Sequence, residues 1–512
     1  MTQSGGTTGG TAPLGWSSRQ SGAPTAILLA VLTVVSVVAT FPFADGKRMI
    51  LAGAILLVVS WHMFSRSRSG LALAFVFLAT IGGLRRFLIP YLGWTGFEPL
   101  LLVAPILTGL YVSGLVLRRT IPFDTPIAKA TFWIVLVMLL QVFNPRQGGI
   151  IVGIAGMVYV LVPILWYYVG RNVANRGSIE LLLTTVMVVA ILSSMDGLRQ
   201  TFVGLNAAEH VWLDVAMNKI AAKIYHFGGL IRAFGFSTSA EEYAFLLGVG
   251  FVLCWARFIT GSKLALLPLP LLGYAIFWES SRGVLVTSLF TCAIVWALLS
   301  GNLKVVVVRS VIAIGLGAIG LVWSMQAIKE KESTLDKTQR LIVMHQTSGL
   351  LNVQNSTAGD HSLAIMSGFK EAALNPIGRG LGSTNIAGGK FGDTGGEVYG
   401  TEVDISDAFA GLGLVGGVLY LIIVIRVFTT SINLWRSTRD PMLLCVVAVL
   451  VMLTGRWLEG ADGSLVMLSW CLAGFVDTMN KRVRDAEKAK AVGEAPNTAT
   501  PSVPSAARPR PV

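Results

Sequence analysis

The sequence predicts an all-α polytopic membrane protein with about fourteen transmembrane helices and a long structured extracytoplasmic loop before the twelfth. Three observations carry this. Of 512 residues, 54% are hydrophobic and 13% charged, and the mean hydropathy is +0.69, whereas soluble domains carry about 25% charged residues. Apolar runs of the length that a ~30 Å hydrocarbon layer requires, about 20 residues, recur along the chain. Lys and Arg gather in alternate loops, as they do on the cytoplasmic side of a bilayer.

The first 25 residues, rich in Gly, Ser and Thr, read as a disordered cytoplasmic N-terminus. The membrane domain is expected over 26–480, with spans near 25–43, 49–64, 70–90, 97–117, 127–143, 149–169, 179–197, 239–259, 264–278, 283–300, 305–327, 406–428, 442–457 and 464–480. The first run is too long for a signal-peptide core and lacks a small-residue cleavage site, so it reads as an uncleaved helix. Arg85 and Arg86 weaken the third span; Pro268 and Pro270 weaken the ninth. The Ala/Pro-rich segment 481–512 reads as a disordered cytoplasmic tail.

With the N-terminus inside, the basic loops 65–69, 117–120, 170–177, 256–263, 426–440 and 481–490 all fall in the cytoplasm, and so does the C-terminus. The net charge of +13 is then a consequence of topology, with contact to anionic lipid heads as a by-product; no nucleic-acid partner is needed to explain it. Cys254, Cys292, Cys445 and Cys471 lie in apolar runs without CxxC spacing and read as core packing residues.

Two long segments, 198–235 and 328–405, map outside, and loops of such length are functional or disordered. The second contains "SLAIMSGFKEAALNP", in which Leu363, Ile365, Met366, Phe369 and Leu374 approximate one face of a helix that stops before Pro376 and could lie on the outer membrane surface. The glycine-dense "NPIGRGLGSTNIAGGKFGDTGG" (375–396) follows. A nucleotide-binding P-loop needs Lys-Ser/Thr at its end, and here Lys390 precedes Phe391. A loose linker and a ligand-lining wall both remain open, since glycine permits positive φ and close backbone approach.

Arg85, Arg86, Arg232 and Arg282 sit at outer helix ends, against the positive-inside trend. Each has a bland reading, snorkelling to headgroups or pairing with an acid such as Glu279; together they favour an anionic ligand. Ser239 and Glu242 have capping-box spacing, which gives the acids of "STSAEEY" a structural reading. Glu402, Asp404 and Asp407 precede the twelfth span, where Asp407 suits a helix N-terminus. His210, His226, His345 and His361 lie in the outer segments, and no sequence motif for a metal site is present.

Taken in order, "IRAFGFSTSAEEYAFLLGVG", "ESSRGVLVTSLF", "SGFKEAALNPIGRGLGS" and "DISDAFAGLGLVGGVLYLI" resemble the successive landmarks of the O-antigen ligase/polymerase family over roughly residues 230–425. The resemblance implies a glycosyltransferase of the bacterial cytoplasmic membrane. Such an enzyme moves a glycan from undecaprenyl diphosphate to an acceptor hydroxyl on the outer face, without metal, cofactor or nucleotide sugar, and can work beside a chain-length regulator. Arg232 and Arg282 match the family arginines thought to hold the diphosphate; Arg379, Arg85 and Arg86 would add substrate contacts. Many members carry a His-Asn-x-x-Leu stretch before the Gly-Leu-x-Gly helix, and this chain has "TEVDISDAF" instead. The base is therefore sought at Asp404, Glu402, Asp407 or His361, and the departure favours a polymerase over a ligase. A lipid-linked glycan flippase is the alternative outside enzymology.

Overall fold

The computed structural model describes residues 46–94, 98–217, 226–227, 230–300, 335–351, 358–392, 403–458 and 463–493, with isolated residues between 304 and 330. The regular elements among these residues are helices apart from a short antiparallel pair, β1 (His226–Phe227) and β2 (Leu230–Ile231). The helices are α1 (Gly46–Phe64), α2 (Gly70–Leu92), α3 (Val103–Leu117, entered through a 3-10 turn at Pro99–Leu102), α4 (Pro126–Gln141), α5 (Ile150–Val173, with a π turn at Met157–Leu161), α6 (Arg176–Phe202), α7 (Ala207–Met217), α8 (Ala240–Ile259), α9 (Leu269–Glu279), α10 (Arg282–Ala297), α11 (Lys337–Leu351), α12 (Ala358–Leu374), α13 (Ile386–Phe391), α14 (Asp404–Thr438), α15 (Pro441–Met452) and α16 (Ser464–Gly493).

The chain is a polytopic α-helical membrane protein. Among the described residues seven helices are long and apolar enough to cross a bilayer: α1, α2, α3 with its 3-10 turn, α5, α6, α8 and α14. The predicted span 25–43 and most of 305–327 lie outside the described residues. Three other predicted spans are shorter than expected: α4, α10 and α15 have 16, 16 and 12 residues, which at 1.5 Å per residue is about 24 Å or less. Helix α9 has 11, because Pro268 and Pro270 remove amide donors and confine its start to Leu269. Helix α16 passes the expected boundary at 480 and stays helical to Gly493, in keeping with the helix-forming Lys, Arg, Ala and Glu of "KRVRDAEKAK". The cysteines are free and buried, as core residues.

Local chemistry sets the helix starts. Thr125 and Asp440 accept the amides of Ala128 (3.1 Å) and Met442 (3.1 Å) ahead of Pro126 and Pro441. Asn175 and Ser178 cap α6 reciprocally, at 3.0 and 2.8 Å. Ser239 Oγ accepts the Glu242 amide at 3.1 Å, while the Glu242 carboxylate accepts from Ser464 Oγ at 3.0 Å and so ties α8 to α16.

Helices α5 and α16 meet through glycines. A Cβ on Gly170 would stand 1.9 Å from the Cys471 carbonyl oxygen, and one on Gly474 would stand 2.0 Å from that of Tyr167, an approach that small residues alone allow. One turn further, Asp477 Oδ2 accepts from Thr125 Oγ1 at 2.7 Å, from Tyr167 Oη at 2.5 Å and from Arg171. Pairing of this kind is what makes a buried charge tolerable. Gly474→Val is expected to lower stability by at least the ~1–3 kcal/mol typical of overpacking, seen as a lower midpoint for heat-induced aggregation of the purified protein. An unchanged midpoint would mean that the two helices separate freely.

Candidate functional site

The segment between β2 and α8 carries Arg232 and is pinned by two helices, α6 and α2. Phe234 and Gly235 donate their amides to Gln200 Oε1 on α6, each at 2.9 Å. Phe236 donates to Ser193 Oγ at 3.1 Å. Arg86, on α2 and 3% exposed, donates to the carbonyls of Ser237 (2.9 Å) and Gly235 (2.5 Å) and lies 4.5 Å over the Phe234 ring. Gly235, at φ +47°, sits where a Cβ would be 2.4 Å from Ser193 Oγ, so no side chain fits. Arg85 stacks on Trp212 (4.7 Å) and Trp94 (5.7 Å) and faces Glu98 Oε2 at 3.6 Å. Arg85 and Arg86 thus tie the helix ends together and hold the backbone beside Arg232.

Arg232 pairs with Glu279, a carboxylate 1% exposed at the end of α9. Its Nε also donates to the Glu279 carbonyl at 3.4 Å, while the other carboxylate oxygen accepts the Ser281 amide at 3.0 Å. Ser280 adopts φ +75°, a left-handed cap that reverses the chain and makes Arg282 the first residue of α10. Glu279 is therefore engaged with Arg232 and the turn. Among the described residues Arg282 has no carboxylate partner.

Helix α11 closes over this turn. Ile342 and Val343 pack on Phe277 and Trp278, and buried Gln346 donates to the Phe277 carbonyl at 3.0 Å. The same face carries half-buried His345. Its burial, with the guanidinium groups of Arg282 and Arg232, pushes its imidazole down from 6.5 to about 4, so the ring is neutral at pH 7. Beside Arg232, a cavity of about 420 Å³ lies between the end of α6, the turn after α9 and the start of α11, with Phe202, Trp278, His210 and Asp336 among its walls. Phe202 and Trp278 stack edge to face at 5.1 Å.

The structure thus brings together Arg232 and Arg282 and adds His345, an outer-loop histidine to which the sequence alone gives no role. The available signal was "LIVMHQ" (341–346), an apolar patch in a polar loop that makes a helix with His345 near Ile342.

The other candidates belong to the α12–α14 region. Arg379 pairs with Glu371 at 2.9 Å. Asp404, 3% exposed, accepts the amides of Trp457 and Leu458 (2.9 Å) and the Tyr420 hydroxyl at 3.3 Å, which anchors the start of α14 to the turn after α15. Asp407 is half-buried in the next turn. His361 lies in α12 with its side chain outside the described residues, and Glu402 is outside them entirely.

The glycines of "NPIGRGLGSTN" approach the protein's own backbone. Helix α14 breaks at Gly413 (φ +74°), where a Cβ would be 2.2 Å from the Pro376 carbonyl oxygen; one on Gly378 (φ +89°) would be 2.4 Å from the Gly413 nitrogen. Arg379 and Gly380 donate their amides to Ala410 and Gly411, each at 3.0 Å, and Leu414 donates to Pro376 at 2.9 Å. Gln141 and Asn144, at the end of α4, donate to the carbonyls of Ile377 (2.5 Å) and Gly378 (3.0 Å). A loose linker is excluded for 375–382, where the close backbone approach that glycine allows is made to α14.

No family model and no curated protein matches the chain.

Proposed function

We propose that the protein is a membrane glycosyltransferase that uses a lipid-diphosphate-linked glycan, here undecaprenyl diphosphate as carrier, and extends a polysaccharide on the outer face of the cytoplasmic membrane. In this reading the chain has about fourteen spans, both termini are cytoplasmic, and the end bearing α7 and α11 faces outward. The observation that supports it most is that Arg232, which lines a cavity walled by aromatic and polar groups, and Arg282 both act electrostatically on His345, the three coming from separate segments.

The chemistry follows from those groups. Arg282 remains available for an anion, and a guanidinium bonds phosphate bidentately without losing its charge. As the anomeric carbon–oxygen bond to the diphosphate breaks, negative charge grows on the leaving oxygen, and a fixed cation there lowers the barrier. Neutral His345 takes the proton of the attacking acceptor hydroxyl. The new glycosidic bond forms as lipid diphosphate departs, and Glu279 holds Arg232 in place.

The test is a deletion strain whose lipid-linked glycans are separated by length. The reading expects single repeats to accumulate on the outer face without polymer. Long lipid-linked chains would instead assign transfer onto a final acceptor, and repeats confined to the inner face would assign transport and sink the enzyme reading.

A further inference from the structure

We infer that α12 and the turn after it form a re-entrant wedge whose outward face is seated in the lipid bilayer. The first observation is direction. Ser406 donates to the Ile365 carbonyl, the Phe369 and Phe409 rings lie 5.0 Å apart, and Leu414 donates to Pro376 at 2.9 Å. These contacts advance along both helices in the same sense, so α12 is laid along the first turns of α14. Its tip lies beside Gly413, nine residues in from Asp404, or about 14 Å at 1.5 Å per residue. The chain then turns back at Gly378 and Gly380, where Gly382 packs on Val152 of α5.

The second observation is that the tip's backbone is paired within the protein, as irregular backbone in an apolar medium must be, and that its charged side chains are paired too, Arg379 with Glu371 and Arg146 with Asn375. The carbonyls of Pro376, Ile377 and Gly378 accept from Leu414, Gln141 and Asn144. The amides of Arg379, Gly380, Leu381 and Gly382 donate to Ala410, Gly411, Gln141 and Gln147.

The third is the face left outward. Leu363, Met366 and Leu374 of α12 and Ile377 of the turn are 70%, 63%, 68% and 73% exposed, while Gly368 and Ala372 on the opposite side are buried against the protein. The apolar stripe does not stop at the turn. It continues through Leu414, Val415, Val418, Ile422 and Ile425 of α14, a spanning helix whose exposed side faces lipid. Exposed Lys370 lies within the stripe on α12, where its stem matches acyl chains and its ammonium reaches headgroup phosphate. Continuity with a lipid-facing helix and this cation select the bilayer over a second copy of the chain.

The test is spin labelling of Leu363→Cys and Ile377→Cys in protein reconstituted into nanodiscs of phosphatidylethanolamine and phosphatidylglycerol. The four native thiols are buried, and unmodified protein supplies the background. Both substitutions fall on outward positions, and size-exclusion profiles check folding. The expected result is higher accessibility to oxygen than to Ni(II)EDDA at both sites, with Ile377 deeper than Leu363. Greater accessibility to Ni(II)EDDA at both sites would overturn the wedge, and so would dipolar broadening from label pairs on two copies. None of these readouts depends on the reaction proposed above.

Discussion

Replacing His345 by alanine is expected to cut turnover by about 10²- to 10⁴-fold, the usual contribution of a positioned general base, while saturable binding of the lipid-diphosphate donor persists. The pH profile separates this role from a structural one. In the free protein burial and the two guanidinium groups hold the His345 imidazole down to about 4. The base form is the neutral one, so kcat/KM, which reports the free enzyme, should stay level from neutrality downward and fall only as the pH approaches that value. A bound diphosphate offsets the charge of Arg232 and Arg282, which removes part of the depression and raises the pKa. The acid limb of kcat should therefore lie at higher pH than that of kcat/KM. Identical limbs, or the same limb in the residual activity of His345→Gln, would assign the titration to another group.

Arg282→Ala is the second large effect. Hydrogen bonds to a charged group contribute ~1.5–3 kcal/mol, or roughly 10- to 150-fold in rate if fully expressed in the transition state. Arg282→Lys keeps the charge without the planar fork and should recover only part of the loss. Folding should be little affected, because among the described residues Arg282 has no carboxylate partner to strand. Arg232→Ala differs: it leaves Glu279, 1% exposed, without its cation, and an unpaired buried charge is costly. That variant should lose stability as well as rate, so Arg282 gives the cleaner reading of donor binding.

What was legible in the sequence follows from what is local or periodic. The membrane class, the buried cysteines, the Ser239 cap and a helix ending before Pro376 rest on composition, spacing and turn chemistry, and the structure has each of them. Arg232, Glu279 and Arg282 stood out as charges at helix ends, but which arginine Glu279 would hold depends on how the segment before α8 folds back onto α9. His345 was unremarkable because its neighbours are 63 and 113 residues away and only α11 packing brings it to them. The glycines at 378, 380 and 413 could be read as sites of close approach, yet the partner that approaches is set by tertiary contact. Arg85 and Arg86 have the signature of ligand-binding arginines, and their described contacts are aromatic rings, Glu98 and backbone carbonyls.

The central claim is that Arg232, Arg282 and His345 form one site for transfer from a lipid diphosphate. The most direct measurement gives purified protein in nanodiscs an undecaprenyl-diphosphate-linked repeat and follows glycan length together with release of free undecaprenyl diphosphate. Wild-type protein is expected to lengthen the glycan with one carrier released per bond formed, and Arg282→Ala and His345→Ala to lose both products in parallel while remaining folded. Lengthening at near wild-type rates in both variants would contradict the account.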